Sequence, residues 1–174
     1  MTTQTDRLIL RQWGLEDFEP FAAMLADPKV MQFIAVDSKP LGRFQAWQAF
    51  SGTVGHWQLR KFGMFAVIEK GSGQFVGRVG PWHPEGWPGI EIGWTIRSEF
   101  WGRGYATEAA RRAIEYTFNE LGCDRIMSFV EPTNVRSVRV AERVSEQPDG
   151  NITLPHVPDR VIVKYVLDKA AWSK

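Results

Sequence analysis

Gly102 and Gly104 stand two apart in the stretch FWGRGYATEA, directly ahead of a long helical pattern. A bare backbone at the mouth of a helix can do chemistry. The first N–H groups of a helix lack intrahelical partners, and with the helix dipole they favour an anion. Glycine lets the main chain approach that anion with no side chain in the way, and Arg103 adds a positive charge at the same place. Three readings compete. The glycines can serve a tight turn only. They can begin a dinucleotide fingerprint, but Thr107 stands where the third glycine belongs, and Asp124 precedes the second strand instead of ending it. They can form a pyrophosphate cradle of another type. No Gly-Lys-Ser/Thr follows, which argues against an ATPase-type loop. The glycines alone do not choose between turn and cradle.

The elements that would position such a loop follow from periodicity. Arg7–Trp13 alternates as a half-buried strand, with Leu8, Leu10 and Gln12 on one face. Leu15–Leu25 reads as a helix with acidic residues in its first turn, ended by Asp27-Pro28. A second helix is expected over Gly42–Trp57, with Phe44, Trp47, Gln48 and Val54 inward. MFAVIEK, QFVGRVG and IEIGWTI form a meander, the first two joined by GSG and the last preceded by the loop PWHPEGWPG. The helix after the glycines runs over about 107–120, with Ala106, Ala110, Ala113, Ile114, Thr117, Phe118 and Leu121 on one face. RIMSFV is a short strand, NVRSVRVAERV a helix capped by Thr133 or Asn134, and VIVKYVL a last strand. Strand, helix and strand over 90–130 make a parallel crossover beside an antiparallel hairpin, so the sheet is mixed and the architecture α+β.

Composition narrows the class. A chain of 174 residues with 44% hydrophobic and 24% charged residues suits one globular domain with a real core. A net charge of +1 gives no reason to expect nucleic-acid binding. Eight tryptophans suggest a lined pocket or interface. Cys123 is the single cysteine and reads as a small buried thiol in a reducing compartment. The opening residues lack a signal-peptide layout and no apolar run spans a membrane, so the expectation is a cytoplasmic, soluble, single domain over 1–174.

Four stretches, in order, resemble the GNAT superfamily of N-acetyltransferases, and within it the ribosomal-protein alanine acetyltransferase (RimJ/RimL-like) branch: DRLILRQW, IEIGWTI, FWGRGYATEA and NVRSVRVAERV. The resemblance implies a mixed, mostly antiparallel twisted sheet flanked by helices, with a β-α-β acetyl-CoA unit. It also implies a reaction, transfer of an acetyl group from acetyl-CoA to a primary amine. The loop amides of Gly102, Arg103, Gly104, Tyr105, Ala106 and Thr107 would hold the pyrophosphate of coenzyme A. The backbone of Trp94, Thr95 and Ile96 would pair with the pantetheine arm as an added strand does. Glu91 becomes the candidate base, acting through water; a surface carboxylate is the competing account. Asn134 would bind pantetheine or water and can also cap its helix, and Ser137 would lie near the sulfur as acid or thiol anchor. Arg139 and Arg103 would meet the 3′-phosphate. No metal is implied.

The sequence departs from that pattern at three places. Trp101 replaces the superfamily's Gln/Arg, and Ala141 stands where many members carry Tyr. Val144-Ser145-Glu146 replaces Leu-Gly-Phe, which predicts a shortened or displaced following strand and leaves a second class open, a non-catalytic acyl-CoA-binding or regulatory module. The acceptor would be a small-molecule amine or a peptide N-terminus. Trp82, His83 and Trp87 would form one wall, and Phe44, Trp47 or Trp57 the other. Neither a membrane nor a nucleic-acid partner is expected, and a homodimer is compatible with the reading.

Overall fold

Eight strands form one sheet in the order β1-β2-β3-β4-β5-β6-β8-β7. The computed structural model describes residues 1–34, 37–154 and 157–172, and the main chain only of Val157 and Pro158. The strands are β1 (Thr2–Gln4), β2 (Leu8–Arg11), β3 (Phe65–Glu69), β4 (Phe75–Trp82), β5 (Glu91–Ile96), β6 (Arg125–Val130), β7 (Gln147–Leu154) and β8 (Val157–Asp168). The helices are α1 (Phe18–Leu25), α2 (Pro28–Met31), α3 (Arg43–Arg60), α4 (Tyr105–Asn119) and α5 (Val135–Arg143). The predicted mixed, mostly antiparallel α+β architecture is what forms. Among the described residues only β5 and β6 pair in parallel.

Two apolar clusters hold the helices to the sheet. Leu8, Leu10, Phe65, Val67 and Ile92 pack against Ala109, Ala110, Ala113 and Ile114 of α4. Phe18, Phe21, Phe50 and Ala66 unite α1, α3 and the other face. Close packing of α4 follows from its small residues, which let the helix axis approach the strands. Tyr105, Ala109 and Tyr116 are buried beyond the predicted face, and Ala106 and Leu121 sit at its margin.

The phase of α3 differs from the expectation. Ala46, Phe50, Thr53 and Trp57 point inward, whereas Phe44, Trp47 and Gln48 are exposed. Aromatic residues lie all around this helix, so its own periodicity does not choose a face. Contact with α1 does: Phe50 lies against Phe18 and Phe21 at ring separations of 5.5 and 5.8 Å. Asp27-Pro28 ends α1 and also starts α2, with Asp27 Oδ1 accepting from Lys29 N–H at 2.9 Å.

The strand after α5, expected to be shortened or displaced, is not short. β7 is eight residues long and antiparallel to β8, with register shifts between Pro148 and Asn151 and between Ile152 and Leu154. Its residues are mostly exposed, so no apolar alternation announces it. The decisive feature for the site is elsewhere. β5 and β6 share a single bridge, Glu91 with Met127, where Met127 N–H donates to Ile90 O at 3.0 Å. Beyond that bridge they part, which leaves a fork in the middle of the sheet.

Candidate active site at the fork

Gly102 and Gly104 have φ of +80° and +81°, left-handed values that side chains disfavour. Gly104 is the N-cap of α4 and offers no side chain to its amides. A Cβ at Gly102 would meet open space, so these glycines are not there to relieve a packed contact. They open the backbone onto a cavity of about 460 Å³ that runs along the edge of β5 to Asn134 and Ser137. Arg7 fastens the loop from behind: its guanidinium pairs with Glu108 and donates to Arg103 O at 3.0 Å.

The edge of β5 has a defined polarity. Arg97 N–H donates to Val76 O on β4, while Ile90 O accepts across the fork. Alternation along a strand then turns the backbones of Ile92, Trp94 and Ile96 to the fork and that of Thr95 to β4. The expected pairing at Thr95 is therefore corrected: its backbone belongs to the β4 side, and only its side chain lines the cavity. Ile96 O is already taken by the Trp101 indole N–H at 2.7 Å. Among the described residues, free ladder groups remain at Trp94 and at Ile96 N–H, which suits a short amide-bearing ligand arm.

A second cavity of about 100 Å³ is lined by Glu91, Asn134 and Ser137 together, with Ser128 and Phe33 beside them. Phe33, Trp94, Asn134 and Ser137 line both cavities. Glu91 is not a surface carboxylate. Burial pushes its pKa up to about 7, against the Trp87 indole N–H donated to Oε2 at 2.8 Å and the positive field of Arg78. Arg78 is itself held below its usual range by burial, and among the described residues its Nε has no hydrogen-bond partner. Ser137 Oγ accepts from the Trp94 indole at 3.2 Å and still has its own O–H to donate. Asn134 caps α5, its Oδ1 accepting from Ser137 N–H at 3.2 Å. Thr133 does not supply the cap.

Several expected contributors lie elsewhere. The Arg103 side chain is outside the larger cavity, 5.0 Å over the Phe100 ring and 3.6 Å from Glu69. Trp82 stacks on His56 at 4.2 Å, and His83 N–H donates to His56 Nε2 at 3.1 Å, so both are tied to α3. Only Trp87 of that loop reaches the site, through Glu91. Trp57 is buried in the core with its indole N–H on Met64 O, and Phe44 and Trp47 flank a separate groove. The wall they were expected to form is supplied by Phe33. Cys123 is free and partly buried, and burial raises its pKa, which leaves it a poor nucleophile.

Several residues lining the two cavities were not foreseen. Arg136 stacks on the Trp101 ring at 3.9 Å, and with Arg139 and Arg143 it lines the larger cavity. Their i, i+3, i+7 spacing on α5 is a legible basic stripe. Phe33 and Ser128 carried no such signal, nor did Glu146, which lines neither cavity and meets the Ser128 hydroxyl from the protein interior.

A family model described as acetyltransferase (GNAT) domain matches residues 7–145, and the chain belongs to that family. An uncharacterized N-acetyltransferase of Bacillus licheniformis is 28% identical over 151 residues, covering 86% of this chain and 84% of its own. An acetyltransferase from Agrobacterium tumefaciens superposes with a TM-score of 0.84 at 27% identity, over 97% of this chain and 95% of the other. A ribosomal-protein-S5-alanine acetyltransferase from Vibrio fischeri is 16% identical with a TM-score of 0.76 over the whole of both chains. That likeness reaches the fold and no further, so the family is established and the narrower branch is not. No helix among the described residues is long and apolar enough to cross a membrane.

Proposed function

We propose that the chain is an acetyl-CoA-dependent N-acetyltransferase acting on a primary amine, either a small-molecule amine or a peptide N-terminus. The observation that carries this reading is the meeting of two cavities at the fork. One offers an anion cradle and a strand edge, and the other gathers Glu91, Asn134 and Ser137. Acetyl-CoA supplies an activated acetyl thioester when bound. Gly102, Gly104 and the first amides of α4 suit its pyrophosphate, Arg136 and Arg139 its remaining phosphate charge, and the edge at Trp94 its pantetheine amides.

Each protein group then has a task. Glu91, poised near neutrality, accepts a proton from the acceptor's ammonium, directly or through one water, and so frees the neutral amine that attacks the thioester carbonyl. Ser137, oriented by the Trp94 indole, keeps a hydroxyl proton to offer the departing thiolate. Phe33 and Ile162 give the smaller cavity an apolar wall. Membership of the RimJ/RimL-like branch would make the acceptor a protein N-terminus. The narrow cavity beside Glu91 admits the terminal amine of either acceptor class. The regulatory alternative rested on the altered segment after α5 and a shortened or displaced strand there, and the eight-residue β7 weakens that ground.

Calorimetric titration with acetyl-CoA, followed by thiol release against a panel of polyamines, aminoglycosides and peptides, tests the proposal. Binding with release on one amine class is expected. Absence of CoA binding would defeat it.

A further inference from the structure

Where β5 and β6 part, the next acceptor on β5 facing the fork is Ile92 O, and among the described residues no strand partner reaches it. The Ser128 hydroxyl does, at 2.8 Å. The same hydroxyl lies 2.8 Å from Glu146 Oε1. Glu146 is 1% exposed, and among the described residues its Oε2 has no hydrogen-bond partner. A hydroxyl carries one proton. If Glu146 were a carboxylate, that proton would serve either the carboxylate or Ile92 O, and the other buried acceptor would be left bare. Both contacts are satisfied only when Glu146 donates to Ser128 Oγ and Ser128 donates to Ile92 O.

The surroundings agree. Among the described residues no lysine, arginine or histidine forms an ion pair with Glu146, and the charge that acts on it is the like charge of Glu91 from β5. On β8, Tyr165 is the register partner of Ser128. On α5, Glu146 N–H donates to Ala141 O at 3.0 Å, with Ser145 in the left-handed conformation at φ +68°. That helix-ending turn aims Glu146 inward, at the position where the resembled pattern carries an aromatic.

We propose that Glu146 is a positioning residue for the transfer: as a neutral carboxylic acid it fixes, through Ser128, the β5 carbonyl at the apex of the fork that receives the thioester arm. Ionisation takes the Ser128 proton away from Ile92 O and loosens the fork. Burial and the Glu91 charge push the Glu146 pKa up to about 8, so the neutral form holds at neutral pH and is lost above it. This rests on the acetyl-CoA reading of the site, and the test separates the two.

The first measurement needs no ligand: a ¹³C NMR titration of glutamate-labelled protein, the Glu146 carboxyl being assigned from Ser128→Ala. A carboxyl still protonated at pH 7 is expected, and one already ionised at pH 6 overturns the proposal. The second is CoA affinity against pH in the wild type and Glu146→Gln. The amide donates to Ser128 at every pH, so the variant is expected to bind CoA as the wild type does at pH 7 and to keep that affinity at pH 9. The wild type is expected to lose about tenfold over the same interval, as its competent fraction falls. Parallel loss in both proteins overturns this proposal alone. Absence of binding at every pH overturns the acetyl-CoA reading and this proposal with it. Should Glu146→Gln not fold, Ser128→Ala replaces it: weakened affinity with no pH dependence is expected, and a wild-type pH profile overturns the proposal.

Discussion

Replacing Glu91 by Gln is expected to make the protein more stable and less active at once. The carboxyl titrates near 7 in the fold against an ordinary 4.5, so the native state binds its proton more tightly than the unfolded chain does. For an acid shifted upward, the associated stability is intact below 4.5 and is lost as pH rises through 7. The full gap corresponds to roughly 3 kcal/mol of native-state cost at pH 8. Two terms reduce it: Glu91 keeps some exposure to the smaller cavity, and Arg78 loses its counter-charge in the variant. A net gain of about 1–2 kcal/mol is expected, or about 2–8 °C in Tm at pH 8, with no difference between the proteins at pH 4.5. Thermal melts at both pH values read this directly.

Activity should move the other way. Wild-type kcat/KM, followed by thiol release from pH 5.5 to 8.5, should rise through about pH 7 as Glu91 ionises. The variant should lack that limb and turn over about 10²-fold more slowly or worse. An acceptor amine with its own ionisation adds a limb common to both proteins, so the difference between the profiles is the diagnostic. A limb near pH 7 that persists in Glu91→Gln would refute the base assignment. Equal stability at pH 8 would refute the burial argument behind it.

Gly104→Ala places a Cβ at φ +81° and is expected to cost about 1 kcal/mol of stability while weakening CoA binding at least tenfold by calorimetry. Unchanged affinity would leave the glycines as a turn only. Ser137→Ala removes the acceptor of the Trp94 indole and the donor to the leaving thiolate, so kcat should fall well beyond any change in CoA affinity; equal losses in both would make Ser137 a binding residue. Ser145→Gly relieves the left-handed residue that ends α5 and should stabilise the fold by about 1 kcal/mol in urea titrations, with turnover unaltered.

Much of this protein was legible because it is locally determined. The 3.6-residue period of α4, the alternation of β2 and the meander β3–β5 each express a preference that neighbouring residues enforce, and the glycines announce a backbone that must reach the left-handed region. The resemblance then supplied an order of motifs that the family match supports. Where several faces of one helix were equally apolar, as in α3, only packing against α1 could choose among them, and the expected aromatic wall went with the wrong face. The length of β7 was misjudged because an exposed edge strand needs no apolar pattern, only the open ladder of β8.

The site shows the same division. Types and spacing by themselves nominated Gly102 and Gly104, and the family pattern added Glu91, Asn134 and Ser137, but no local signal says that two strands will pair once and then part. That fork depends on where β8 and α5 hold β6, contacts made by residues far apart in sequence. Burial is likewise a property of the assembled fold. Glu91 and Glu146 are ordinary carboxylates in a peptide, and it is the surrounding core that withdraws water from them and sets what each can do with its proton.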